Sequence, residues 1–213
     1  MKNREPRHKI KIKAIIFDLG NVLLNYDIHR AIRRLCADRK VSIWKIWIHF
    51  LTSPTVDDYV CGRISCREFY LRAKRALRLT IDFQSFRKHW NDIFWENSEA
   101  GGIEELLVRL KRHYPLYLIS NTNKMHFDYI RRKYKILRHF RKTFPSHEMG
   151  CQKPSLEIYQ KVLKRIKLRP AETVFIDDVA KFVRAAHQVG MHAVRYRHKN
   201  QLIKALRELG VQF

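Results

Sequence analysis

Ile12-Lys-Ala-Ile-Ile-Phe-Asp18-Leu-Gly20-Asn-Val-Leu-Leu24 is an apolar run interrupted by one acid and one glycine, and its reading decides the fold. A β-branched and aromatic run of this length reads as a strand buried on both faces, the signature of a parallel sheet. A carboxylate at the C-terminal end of such a strand lies where open α/β sheets form their ligand crevice. Asp18 is therefore the first candidate for chemistry. Gly20, two residues on, permits a tight backbone excursion that leaves a main-chain carbonyl free to face the same space.

Working outward, the chain alternates between the two periodicities. Ile28, Ala31, Ile32 and Leu35 fall on one helical stripe, and Ser42 to Leu51, with Trp44, Trp47 and Phe50, is apolar almost all round, so it is either buried between other helices, the reading favoured here, or lies over a pocket mouth. Ser65 and Glu68 form an S-x-x-E pattern before a helix with Phe69, Ala73, Ala76 and Leu77. Asp82 is placed to cap a further helix whose face carries Phe83, Phe86, Trp90 and Phe94. Residues 26–96 thus read as an all-helical insert. Beyond Gly101 and Gly102 the alternation of strand and helix returns, with strands expected at Leu116 to Ile119, near Thr143, at Thr173 to Ile176 and at His192 to Tyr196. Pro154 is expected at the mouth of the helix that carries Ile158, Tyr159, Val162 and Leu163. The fold class expected is α/β: a Rossmann-like, doubly wound parallel sheet, residues 1–25 and 97–213, with an inserted helical cap, residues 26–96.

Parallel strands share one carboxyl edge. Asp18, Ser120, Asn121 and the pair Asp177-Asp178 therefore converge there, joined by Lys153 at the start of a helix. Three carboxylates in one crevice repel unless a cation sits among them, and hard oxygen donors with an open face suit Mg²⁺. A lysine, a hydroxyl and free N–H groups beside that metal suit a phosphoryl group.

The set resembles the haloacid dehalogenase-like hydrolase superfamily. Its four motifs stand here as Phe-Asp18-Leu-Gly20-Asn21-Val, Ile-Ser120-Asn121-Thr-Asn, Lys153-Pro154 and Phe-Ile-Asp177-Asp178, in order over the whole chain. Gly62-Arg-Ile64-Ser65 with Phe69 is similar to the caps of bacterial sugar-phosphate phosphatases of the α-glucose-1-phosphatase type. The resemblance implies a Mg²⁺-dependent phosphatase of small phosphorylated metabolites, sugar phosphates among them. In it Asp18 is the nucleophile that forms an aspartyl-phosphate, Ser120 and the Asn121 amide hold the phosphate, and Lys153 neutralises it. Asp18, the Gly20 carbonyl and Asp178 would hold the metal, with Asp177 close by. Gly20 stands where the family usually carries a second acid. General acid–base help is worth ~10²–10⁴-fold, so an enzyme without it should be slow, favour a good leaving group, or borrow another acid such as Asp27. Val179 and Phe182 occupy positions that are often polar in related chains. The alternatives are a non-catalytic relative that binds anionic partners such as nucleic acid, and a haloacid dehalogenase, which has no use for Asp177 and Asp178 as metal ligands.

Composition narrows the classes further. With 44 Lys and Arg against 20 Asp and Glu the net charge is +24, but the basic residues are spread over nearly every expected helix. That pattern reads as solvated helix faces, and no aromatic-interleaved RNA motif or zinc finger favours nucleic acid. No apolar stretch reaches the ~20 residues of a membrane span. Four scattered cysteines read as reduced thiols, and the basic segment Met1 to Lys13 lacks a signal-peptide core, so the expected compartment is the cytoplasm.

Overall fold

The computed structural model describes residues 11–37, 44, 48, 53–97 and 100–213. Five parallel strands form the central sheet: β1 (Ala14–Phe17), β4 (Leu116–Ser120), β5 (Lys142–Pro145), β6 (Thr173–Asp177) and β7 (His192–Arg195), in the order β5-β4-β1-β6-β7. Numbered as the chain enters this sheet, the order is 3-2-1-4-5, the doubly wound arrangement whose direction reverses beside the first strand. The reversal falls between β1 and β6. Asp18 and Asp177 end those two neighbouring strands, which run in register from Ala14 opposite Thr173 to Phe17 opposite Ile176.

All four residues of β1 are buried, and their alternation feeds two separate cores. Ile15 and Phe17 join Leu118, Val174 and Ile176 on one face, under Leu106 and Leu107 of the helix Ala100–Lys111 and Leu202 and Leu206 of the helix Lys199–Glu208. Ala14 and Ile16 join Ile119 and Phe175 on the other, under Tyr159 and Val162 of the helix Leu156–Ile166 and Ala186 of the helix Ala180–Gln188. Burying one such Ile or Phe contributes ~1.5–3 kcal/mol, so a sheet covered on both faces needs the continuous apolar runs seen in the sequence. Ser155, rather than Pro154, begins the helix Leu156–Ile166: its side chain accepts the N–H of Glu157, which puts Pro154 one residue outside.

Ahead of the helix Ala100–Lys111, the segment after β1 holds, among the described residues, the helices Ile28–Ala37, Pro54–Val60, Cys66–Leu77 and Phe83–Asn91. Ser53, Ser65 and Asp82 cap the last three by accepting the N–H groups of Thr55, Glu68 and Ser85. Only half of the expected capping box forms, because the Glu68 carboxylate turns forward to Arg72 Nε at 2.7 Å. Two short strands at the base of this segment were not expected: β2 (Leu24–Tyr26) pairs antiparallel with β3 (Phe94–Glu96), so Phe94 belongs to a strand and not to the preceding helix. Trp44 is exposed, against the expectation of burial; Trp47 and Phe50 lie outside the described residues.

An aromatic core holds the segment together. The Phe69 ring stacks on Tyr59 at 4.2 Å and meets Trp90 at 5.1 Å, and this cluster is continuous with the sheet's core. Polar contacts tie the same segment to the helices that follow β4 and β5: Tyr59 Oη accepts the N–H of Met125 at 3.1 Å, and Ser146 Oγ donates to the carbonyl of Val60 at 2.7 Å. At the turn below, Gly62 has φ of +70°, and a Cβ there would collide with the carbonyl of His147. That position requires glycine on both counts. Among the described residues no helix is long and apolar enough to cross a membrane. Cys61, Cys66 and Cys151 are free thiols.

Candidate active site

β1, β4 and β6 deliver Asp18, Ser120 and Asp177 to one edge, and the loop before the helix Leu156–Ile166 brings Lys153 across to them. Lys153 Nζ donates to Asp18 Oδ1 at 2.7 Å and to Asp177 Oδ2 at 2.6 Å. The lysine is 2% exposed, Asp18 7% and Asp177 not at all. Its ammonium also lies 4.9 Å above the ring of Phe182. An apolar residue at this position therefore serves the site as a cation–π floor. Val179 supports it with its backbone, since its N–H donates to Asp177 Oδ1 at 2.8 Å, a contact that needs no polar side chain.

Electrostatics follow from this burial. Desolvation pushes the Asp18 carboxyl up, to about 6, against the opposing pull of the Lys153 ammonium, and the Asp177 charge adds to the rise. Asp177 is also raised by burial and opposed by Lys153. For Lys153, burial alone would lower the pKa, but the two carboxylates outweigh it and the net shift is upward. Asp178 is raised by burial and by the Asp18 charge, and its Oδ2 accepts from Asn21 Nδ2 at 3.3 Å. Asn21 reaches it from a left-handed backbone, φ of +53°, a conformation that Asn tolerates better than most residues.

Oxygens of Asp18, Asp177 and Asp178 all lie within 4.8 Å of one another. Both oxygens of Asp177 are already engaged, by Lys153 and by Val179, whereas Asp18 and Asp178 keep capacity for a further partner. An all-oxygen set of two carboxylates with capacity to spare fits a hard divalent cation such as Mg²⁺.

The side chains of Asn121 and Asp27 make contacts that the sequence does not reveal. The Asn121 side chain makes a two-way brace with the backbone of Lys153, donating to its carbonyl and accepting its N–H, each at 2.8 Å. Its side-chain amide is thus spent on positioning the lysine. Asp27 is a helix cap: Oδ1 accepts the N–H of His29 at 2.8 Å and Oδ2 meets Arg33, and it does not line the site. It is not the substitute acid. The space that a side chain at position 20 would need is filled by Tyr26, whose Cε1 would lie 2.8 Å from an added Cβ. Burial, and then the Asp178 charge, raise the Tyr26 hydroxyl pKa.

Above these groups lies a cavity of about 340 Å³, walled by both the sheet edge and the helical segment. Tyr26, Tyr59, Trp90 and His126 line it and were not identified from the sequence as site residues. The usable signal was the aromatic stripe Phe86-Trp90 on its helix, which by periodicity alone reads as core.

Residues 12–190 match the haloacid dehalogenase-like hydrolase family. The chain is similar to a sesquiterpene phosphatase of Aspergillus oryzae, at 28% identity over 92% of this chain and 96% of that one. It is also similar to the D-ribitol-5-phosphate phosphatase of Bacteroides thetaiotaomicron, at 23% identity over 84% and 89%. A drimenol cyclase of Aspergillus calidoustus is 27% identical over 92% of this chain, which spans 36% of that longer protein. Among solved structures, a family enzyme from Bacteroides thetaiotaomicron in complex with magnesium and inorganic phosphate superposes with a TM-score of 0.78, at 27% identity over 87% of this chain and 94% of that one. The chain belongs to the haloacid dehalogenase-like hydrolases.

Proposed function

We propose that this protein hydrolyses small phosphorylated metabolites with Mg²⁺, through an aspartyl-phosphate on Asp18. The observation that carries the reading is the buried triad Asp18–Lys153–Asp177 with Asp178 beside it, at the floor of a cavity large enough for a small ester. Asp18 Oδ1 is held by Lys153, which leaves Oδ2 to attack phosphorus in line with the departing alcohol. As the P–O bond to Asp18 forms, the bond to the alcohol oxygen breaks, and water later releases phosphate and restores the carboxylate. Lys153 offsets charge on the phosphoryl oxygens, more in the transition state than in the ground state. Ser120 and the main-chain N–H of Asn121 supply donors to the same oxygens.

Asp18, Asp178 and the carbonyl of Gly20 would hold Mg²⁺, with Asp177 anchoring the lysine behind them. When bound, the cation supplies positive charge to the transferring phosphoryl group and offsets the repulsion between carboxylates. Residues 26–96 would act as a cap over a core of residues 1–25 and 97–213, excluding water from the reacting ester. With Gly20 in place of an acid and Asp27 turned away, no carboxylic acid reaches the leaving oxygen from those positions, so esters with good leaving groups should turn over fastest.

The test is hydrolysis of para-nitrophenyl phosphate in Mg²⁺ and in EDTA, by the wild type and by Asp18→Asn. Turnover that needs both Mg²⁺ and Asp18 is expected. Undiminished turnover in Asp18→Asn would exclude the covalent route, because the substitution removes the nucleophile with almost no change in volume.

A further inference from the structure

The cavity's walls carry information about the alcohol as well as the phosphate. Its charged lining residues are Asp18, Lys153 and Asp178, all at the floor where the phosphoryl group would sit. Despite 44 lysines and arginines in the chain, Lys153 is the one that lines this space among the described residues. A second phosphate or a carboxylate on the leaving group would find no counter-charge beyond Lys153 among the described residues. Such a group would be costly to bury.

Three polar side chains of the wall, Asn123, His126 and Tyr59, are turned to partners within the protein. Asn123 Oδ1 accepts the N–H of His126 at 3.0 Å, and Asn123 Nδ2 lies 3.0 Å from His126 Nδ1. His126 Nε2 is 2.9 Å from the carbonyl of Trp90, which makes Nε2 the protonated nitrogen and Nδ1 the acceptor from Asn123. The ring is thereby fixed as a neutral, fully paired surface, stacked on Trp90 at 5.0 Å. Tyr59 Oη is likewise engaged, accepting the N–H of Met125 and donating to Cys66 Sγ. The hydrogen-bonding atoms of these three residues are thus engaged within the protein. Between them stand Val56, Val60, Ile93, Phe94, Ile130 and Phe182, contributed by the helical segment and the sheet edge together.

We infer that the substrate is the phosphate monoester of an apolar alcohol, a short hydrocarbon chain or ring, rather than of a sugar or polyol. The inference rests on the phosphatase reading above and adds the chemical class of the leaving group. A volume of about 340 Å³ lies near the lower end of the ~300–1,000 Å³ range of small-molecule pockets, which suits one phosphoryl group and a compact hydrocarbon. A polyol in the same place would lose water from each hydroxyl and find Asn123, His126 and Tyr59 already engaged.

The experiment compares kcat/KM in Mg²⁺ for the straight-chain series from ethyl to pentyl phosphate, with ribitol 5-phosphate and para-nitrophenyl phosphate alongside. Each methylene is expected to raise kcat/KM about fourfold, the equivalent of ~0.8 kcal/mol per buried CH₂. Ribitol 5-phosphate, with the same carbon count as pentyl phosphate, is expected to fall about 100-fold or more below it. A flat alkyl series, or ribitol 5-phosphate equal to or better than pentyl phosphate, would overturn the apolar class and leave the phosphatase reading standing. Failure to hydrolyse any of the esters, para-nitrophenyl phosphate included, would overturn both.

Discussion

Lys153→Met removes the charge between two buried carboxylates while keeping most of the side-chain volume. Its Nζ sits 2.7 Å from Asp18 and 2.6 Å from Asp177, with a side chain 1% exposed, so bulk water has no direct route to replace it. Breaking a buried ion pair by deleting one partner costs ~3–5 kcal/mol, because the charge left behind has neither water nor a counter-ion. The penalty depends on pH in a defined direction. Asp18 already titrates in the folded state at about 6, above its ordinary value of 3.8, and Asp177 is also raised. Losing Lys153 raises both further. A carboxyl with a folded pKa above its unfolded value favours folding below the unfolded pKa and loses that contribution as pH rises through the folded pKa. In EDTA, urea unfolding should therefore show Lys153→Met weaker than wild type by about 3–5 kcal/mol at pH 8, with the gap closing toward pH 4. Equal stability at pH 8, or a gap that does not close on acidification, would refute the buried-pair account.

Gly62→Ala should destabilise the protein by ~2–5 kcal/mol, combining the left-handed backbone penalty with overpacking against the His147 carbonyl; thermal unfolding reads this directly, and a neutral substitution would mean that the turn can move away from the sheet. His126 supplies a second pH effect of opposite sign to that of the carboxyls. Burial lowers its pKa from 6.5 to about 4, so its contribution is complete above pH 6.5 and is lost as pH falls toward 4. That interval corresponds to about 3 kcal/mol. Wild type should lose this much more stability between pH 7 and pH 4 than His126→Gln does, and parallel losses in the two proteins would remove His126 as the source.

The central sheet was legible because strands buried on both faces must be continuous apolar runs, and Ile12 to Leu24 and Thr173 to Asp177 have no other economical reading. Helices that bury one stripe were legible for the same reason, from Phe69 and Ala73 to Val162 and Leu163. The pairing of β2 with β3 was not, since three residues per strand carry too little periodicity to separate from the end of a helix, and Phe94 fits both patterns. Nor was the direction of the Glu68 carboxylate, whose choice between its own helix N-terminus and Arg72 involves two contacts of similar strength.

For the candidate site the division falls between residue types and atom pairs. The sequence by itself determined that Asp18, Ser120, Asn121 and Asp177-Asp178 end strands of one parallel sheet, because chain direction puts all carboxyl ends on one edge. Only the tertiary structure decided which atoms meet there: that Asn121 braces the lysine's backbone, that Asp27 caps a helix, and that Tyr26 fills the space beside Gly20. It alone also decided the apolar wall above the carboxylates. Trp90, His126 and Val56 are far apart in the chain, and the hydrogen bond between His126 and Trp90 depends on where the helical segment docks. Periodicity records that a face is buried, whereas whether it meets another side chain or an open cavity depends on packing between segments that no local pattern encodes.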